Sequence, residues 1–383
     1  MFSYQMGTRI EFGIGRIHHL SELLQESGYG KRVLLVTDPG VEHAGLVDPV
    51  LAQLKATGAE VTLFNHVAQN PRDSDCEAGA EVFQNIAADS VIGIGGGSAM
   101  DTAKAIALLG ETGGKVAEYV DGHRIYERVA PLVCIPTTAG TGSEVTRSAV
   151  ITESKTHRKM TLKHALLRPA LALLDPALTL SVPHSVTTAT GVDALVHAIE
   201  GYTCKRSSPV TRAFGAAAMK VIIPALPTVM EHPGDINARS DMLQGSLLAG
   251  LCFGASDVAA VHCLAEALGG LYDTPHGLAN AVFLPHVLRF NVIGHDEIHA
   301  ELSRIMGFAK EDTNTRDAVD SLVTGISNWV TSLGIPNLRE LPGVRPEDFD
   351  ELVELAYNNG STPSNVRTIS REDYRTILMQ AYA

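Results

Sequence analysis

Hydrophobic positions in the first half of the chain fall into short unbroken runs, with stretches of helical spacing between them. RVLLVTD (32–38), EVTLF (60–64), SVIGIGGG (90–97) and PLVCIPTT (131–138) are rich in β-branched residues, and most stop at Asp, Gly or Thr. Segments such as LVDPVLAQLKATG lie between them. A run that is apolar throughout, rather than alternating, is buried on both faces, so these runs predict a parallel sheet with helices on either side. The pattern changes near Pro183. GVDALVHAIEGY, VTRAFGAAAMKVI, DMLQGSLLAGLCF and DAVDSLVTGISNWVTSLG carry apolar residues at helical spacing. The expected organisation is an α/β domain over 1–183, with a Rossmann-like parallel sheet, followed by an all-helical domain over 184–383.

Composition narrows the partners. The 383 residues suffice for about two domains. Lys and Arg supply 30 positive charges against 43 from Asp and Glu, a balance of −13 that repels a phosphate backbone, so no nucleic-acid partner is expected. Cys76, Cys134, Cys204, Cys252 and Cys263 form neither a C-x-x-C pair nor an even set, which indicates a reducing cytoplasm rather than a disulfide framework. MFSYQMGTRIEFG has neither the charge nor the apolar core of a signal peptide. The most apolar long stretch, 213–230, is interrupted by Lys220, Pro224 and Pro227, and reads as a buried helix and its exit rather than a membrane span.

Two features of the first half carry candidate chemistry. In SVIGIGGGSAMDTAKAIALL a buried strand enters Gly95-Gly96-Gly97-Ser98 and a helix bearing Lys104 follows, the arrangement that lets backbone N–H groups approach a phosphate. The other reading is a tight turn with Ser98 as helix cap and Asp101 completing a capping box. Asp38, at the end of the first strand in TDPG, can accept ribose hydroxyls and would repel a 2′-phosphate, or it can simply shape the turn before Pro39 and Gly40.

The second half holds a possible metal constellation. Asp193 and His197 stand four apart in a helical segment and so share a face. His262 lies in another apolar helical run, and His276 follows Pro275 at the start of a third. One carboxylate and three imidazoles suit Fe²⁺ or Zn²⁺ rather than magnesium or calcium. Spacing alone does not join the segments. Glu266 shares the face of His262, pointing to the metal's open side or to solvent; His286 is ambiguous; His18, His19, His232, His295 and His299 sit in polar contexts and read as solvated.

GGGSAMDTAKA, PTTAGTGSEVT with its continuation AVIT, TGVDALVHAIEGY and PHGLANAVFLPHV together resemble the iron-containing (group III) alcohol dehydrogenase family, over nearly the whole chain. Within it the chain is similar to the lactaldehyde reductase and 1,3-propanediol dehydrogenase types. The resemblance implies the dehydroquinate synthase-like architecture: a dinucleotide-binding α/β domain and a helical metal-binding domain. It places the metal ligands at Asp193, His197, His262 and His276, the last also counted as catalytic. For NAD it implies Asp38 at the adenosine ribose, Asn70 of the NP pair, and Gly96, Gly97 and Ser98 at the pyrophosphate. Thr137 and Thr138 would follow in the adenine and phosphate region, with Thr146, Val150 and Lys159 near the nicotinamide. Ser148, Phe253 and Asn358 are the implied substrate contacts.

The chain departs from the family twice. Lactaldehyde reductase relatives carry a histidine four residues after the third ligand, where Glu266 stands here as candidate proton relay. The usual N-P-R stretch is replaced by STPSNVR (361–367), which this reading ties to the substrate mouth. The implied activity is hydride transfer between NAD(H) and a small alcohol or aldehyde, in a soluble homodimer or larger oligomer with no membrane partner. A dehydroquinate-synthase-like lyase using NAD and a metal is the alternative, although the apolar blocks around His262 and His276 offer few of the Arg and Lys residues it needs. A non-catalytic NAD-binding sensor is a third reading.

Overall fold

The four runs singled out in the first half become neighbouring strands of one sheet. The structure, a computed structural model, describes residues 2–156 and 158–383. It divides into two units, Gln5–Val182, and Pro183–Ala383 together with the N-terminal residues up to Tyr4.

In the first unit the strands are β1 (Arg9–Phe12), β2 (Arg32–Val36), β3 (Glu60–Phe64), β4 (Ser90–Gly95), β5 (Leu132–Pro136), β6 (Ser148–Thr152), β7 (Lys159–Lys163) and β8 (Leu171–Leu174). Helices α1 (Leu20–Ser27), α2 (Pro39–His43), α3 (Val47–Ala56), α4 (Asp73–Asn85) and α5 (Gly97–Thr112) connect them. Six strands pair in the order β1-β8-β5-β4-β2-β3, all parallel, while β6 and β7 form a separate antiparallel pair. Burial on both faces explains the unbroken apolar runs. Val33, Leu35, Ile92, Ile94, Val133 and Ile135 enter one core with Leu20, Leu24, Val50 and Leu54. Leu34, Val36, Val91, Leu132 and Cys134 enter the other with Phe83, Met100, Ala103 and Ile106.

The strand order reverses between β2 and β4: β3 lies to one side of β2, and the chain then returns to build β4 and β5 on the other. That reversal leaves a crevice beyond the C-terminal ends of β2 and β4, where doubly wound sheets bind ligands. Asp38 and the Gly95–Ser98 turn stand at those two ends.

The second unit consists of α6 (His184–Thr203), α7 (Pro209–Glu231), α8 (Ile236–Phe253), α9 (Ala260–Tyr272), α10 (His276–Asn291), α11 (Asp296–Ile305), α12 (Thr315–Ser332), α13 (Phe349–Tyr357) and α14 (Arg371–Tyr382), joined by short turns as far as α11 and by longer connections before α12, α13 and α14. Tyr4 stacks on Phe214 of α7, with ring centroids 5.8 Å apart. The expected exit from α7 at its prolines does not occur, since the helix runs through Pro224 and Pro227 to Glu231. The helix packs along α6 and α8 through this stretch, where the two prolines lack backbone N–H groups. Among the described helices α7 alone has the length and apolar composition to cross a membrane, a weak indication given that Gly215, Met219, Ile222 and Leu226 are buried.

Candidate metal and cofactor sites

Helix α6 places Asp193 and His197 one turn apart, both buried, in a segment otherwise filled by Val192, Ala194, Leu195, Val196 and Ala198. Two further helices bring imidazoles to Asp193. His262, in the first turn of α9, puts Nε2 3.6 Å from Asp193 Oδ1, and His276, the first residue of α10, puts Nε2 3.8 Å from the same oxygen. Gly277 makes the second approach possible: a Cβ there would lie 2.5 Å from the Ala189 carbonyl oxygen of α6. Ligand atoms of Asp193, His262 and His276 all fall within 4.8 Å of one another. His197 joins from the other carboxylate oxygen, its Nδ1 3.8 Å from Asp193 Oδ2. Its ring lies 4.5 Å from that of His262 and stacks on Phe253 at 4.0 Å.

The electrostatics are those of a buried centre short of positive charge. Burial pushes the Asp193 carboxyl up to about 7 against the opposing pull of His262 and the Asn280 hydrogen bond. Burial works against charge on His262, yet the hydrogen bond and charge of Glu200, with Asp193, carry its pKa above the ordinary value. His262 Nδ1 donates to Glu200 Oε2 at 2.6 Å, so in the neutral ring the lone pair is on Nε2. Nε2 is buried and has no hydrogen-bond partner. An imidazole nitrogen in this state, facing a buried carboxylate and a second imidazole, fits a divalent first-row cation.

Two residues of this centre were not singled out in the sequence. Glu200 accepts from His262 and from two backbone N–H groups of the α9 start. Asn280 donates to Asp193 Oδ1 at 2.7 Å and lies 3.1 Å from His276 Nε2. Each has a sequence signal: a carboxylate two helical turns after Asp193, and an amide one turn after His276, both inside apolar helices.

Around the centre the other candidates separate. Glu266, one turn beyond His262, is part-buried and its Oε2 accepts from Asn359 Nδ2 at 2.6 Å. Asn358 is exposed and turns to Glu354 of its own helix at 3.3 Å, so the neighbouring amide is the one that meets Glu266. In the 361–367 stretch Thr362, Ser364 and Asn365 are buried, Pro363 is exposed, and Asn365 exchanges hydrogen bonds with Asn291 at 2.7 and 3.1 Å. His299 is buried, not solvated, with its ring 2.7 Å from the His295 carbonyl oxygen. His286 is half-buried on α10, and burial pushes its pKa down to about 4.

In the first unit the glycine turn meets Asp38. Gly95 has φ +148°, and a Cβ there would lie 2.7 Å from Ala99 Cβ and 3.2 Å from Asp38 Oδ2. Asp38 Oδ1 also caps α2, accepting from Gly40 N at 2.9 Å and Val41 N at 3.0 Å, so the turn-shaping reading describes that oxygen. The capping-box reading of the next helix does not hold. Gly96 is the N-cap of α5 and no side chain caps it; Ser98 Oγ donates to the Gln69 carbonyl, and Asp101 accepts from Ser143 Oγ and Val150 N. The N–H groups opening α5 are left to an anion or to water.

Thr137 N donates to Gly95 O at 2.9 Å. Thr138 Oγ1, beside Gly96, is buried without a partner, an orphaned hydroxyl that fits a polar ligand lying along the turn. Lys159 Nζ donates to Asn70 Oδ1 at 3.0 Å and Thr152 Oγ1 at 2.9 Å. Lys104 is fully buried and reaches Ser143 Oγ, Thr146 Oγ1 and the Ser148 carbonyl oxygen, tying α5 to the start of β6.

Comparison with known proteins places this geometry. Residues 7–176 match the family described as iron-containing alcohol dehydrogenase, and residues 187–382 match the Fe-containing alcohol dehydrogenase family, C-terminal. The 1,3-propanediol dehydrogenase of Citrobacter freundii is 37% identical over 385 residues, covering 100% of this chain and 99% of its own length. The NAD-dependent methanol dehydrogenase of Bacillus methanolicus is 35% identical, with 96% and 97% covered. A crystal structure of a 1,3-propanediol oxidoreductase superposes with a TM-score of 0.96 at 37% identity, covering 100% of both chains. The chain therefore belongs to the iron-containing alcohol dehydrogenase family.

Proposed function

We propose that the protein is an NAD- and metal-dependent alcohol dehydrogenase, interconverting a small alcohol and its aldehyde. The observation that carries this is the meeting of Asp193, His262 and His276 around a buried imidazole nitrogen without a partner, in a family whose relatives are named as dehydrogenases of short alcohols. Family membership favours this reading over a lyase. When bound, a divalent ion, Fe²⁺ first and Zn²⁺ next, supplies Lewis-acid polarisation of the substrate oxygen, and NAD(H) supplies the two-electron chemistry.

The chain's residues supply position and charge. Asp193, His197, His262 and His276 hold the ion, with Asn280 keeping the Asp193 carboxylate in place. Asp38, Gly96, Gly97, Ser98 and Thr138 receive the dinucleotide at the crevice beyond β2 and β4, with Asn70, Thr137, Thr146, Val150 and Lys159 completing its site. The Asp38 carboxylate favours NAD over NADP, because a 2′-phosphate would meet a negative charge there. Phe253 packs on His197 and forms an apolar wall beside the ion; Ser148 and the exposed Asn358 are the further substrate contacts. Glu266, fixed by Asn359, is the candidate proton carrier. The five free cysteines fit a cytoplasmic enzyme, and a homodimer or larger assembly completes the reading.

The test pairs activity with metal content. Protein loaded with Fe²⁺ is expected to reduce short aldehydes with NADH, and His262→Ala is expected to lose both turnover and bound metal by elemental analysis. Full metal occupancy in that variant would move the site elsewhere.

A further inference from the structure

We propose that Glu200 is a positioning residue for the metal centre: it holds the His262 ring so that Nε2, not Nδ1, faces Asp193 and His276. The inference rests on the metal reading above and assigns a role to a residue that ligates nothing. Glu200 is 2% exposed, and among the described residues no Lys or Arg pairs with it. Its two oxygens serve three donors. Oε2 accepts from His262 Nδ1 at 2.6 Å and Ala259 N at 2.8 Å, and Oε1 accepts from Val261 N at 2.7 Å.

A buried carboxylate is costly unless its lone pairs are met, so three charge-assisted hydrogen bonds fix it tightly. Helix α9 has no side-chain cap of its own, since its N-cap is Ala259. Glu200 therefore supplies both the missing acceptors and a negative charge at the helix's positive end. The capping group comes from α6, two turns after Asp193, so a single helix bears two proposed ligands and the group that aims a third. An imidazole whose Nδ1–H is held by a carboxylate can present only Nε2 to a cation, and such partners orient and strengthen metal-bound histidines.

Capping alone would predict something different. Asn365 Oδ1 also reaches the α9 start, 3.5 Å from Ala260 N, but touches no proposed ligand. In Glu200→Gln the side chain keeps its size but has one acceptor for three donors. If its amide faces His262, the ring must take the proton on Nε2, the atom that should carry the lone pair.

The experiment measures Co²⁺ affinity by chelator competition, with the visible spectrum of bound Co²⁺, in wild type, His262→Ala, Glu200→Gln and Asn365→Ala. The expected result is tight binding in wild type, loss in His262→Ala, and affinity about 10–100-fold weaker with an altered spectrum in Glu200→Gln. Asn365→Ala should keep wild-type affinity and spectrum. Equal weakening in Glu200→Gln and Asn365→Ala, or unchanged binding in Glu200→Gln, would overturn the proposal and leave Glu200 a helix cap. Wild type that binds no Co²⁺ would instead sink the metal reading, and this inference with it. Should Glu200→Gln fail to fold, Glu200→Asp keeps the charge but withdraws the oxygens by one methylene. It is then expected to weaken Co²⁺ binding by a smaller factor, and wild-type affinity there would count against the role.

Discussion

At the scale of single residues, the molecule stores charge where water does not reach. Glu144 is buried with Oε1 unpartnered, and burial raises its carboxyl to about 7 against the opposing pull of a backbone hydrogen bond and Lys104. The unfolded chain releases that proton near 4.5, so between these values the folded state binds one proton more and stability falls as pH rises; above about 7 the slope vanishes. Glu144→Gln cannot ionise. From pH 4.5 to 8 its stability relative to wild type should improve by up to ~3 kcal/mol, read from urea midpoints at several pH values. Parallel curves for the two proteins would show that folding does not raise the Glu144 pKa. Asp193, His197 and His262 drew attention in the sequence because polar types inside apolar helices need a reason. Their convergence was not legible, because it depends on how α6, α9 and α10 cross. Glu200 and Asn280 stayed hidden for a related reason: spacing puts them on the faces of Asp193 and His276, but the His262 ring and α9 N–H groups that Glu200 holds, and the Asp193 carboxylate that Asn280 holds, are remote in sequence.

At the scale of elements, the apolar runs gave away the strands at the middle of the sheet, and the weak signals were lost at its margins. The run at 60–64 matches β3 residue for residue, and those at 32–38, 90–97 and 131–138 each end two residues beyond β2, β4 and β5. RIEF of β1 is a short, partly exposed edge strand, and β8 is four residues long, so neither stands out from its surroundings. The β6–β7 pair carries Ser, Thr and Lys on its more open face and reads as loop until its partner is known. Helix approach carries its own prediction. In Gly277→Ala the new Cβ meets the backbone of α6 at Ala189, which cannot swing away as a side chain would. The start of α10 must therefore shift, carrying His276 from Asp193. A loss of about 1–3 kcal/mol in stability is expected, with weaker metal retention measured by chelator competition. A variant that is destabilised yet keeps its metal would separate the packing role of Gly277 from any role in placing His276.

At the scale of the whole molecule, the candidate chemistry is divided by domain. Every residue proposed to hold the ion lies in Pro183–Ala383, and every residue proposed to hold the dinucleotide lies in Gln5–Val182. Within each unit the supporting hydrogen bonds are internal: Asp193, Glu200, Asn280 and His262 answer one another, as do Asp101, Lys104, Ser143 and Thr146. Each of these bonds closes within its own unit, so emptying one site removes none of the bonds named for the other. Removing the metal with a chelator should therefore abolish aldehyde reduction while leaving NADH affinity, followed by fluorescence titration, within about twofold of the loaded enzyme, less than half a kcal/mol. A tenfold loss of NADH binding on metal removal would mean that the ion organises the dinucleotide site as well, and that the two networks act as one.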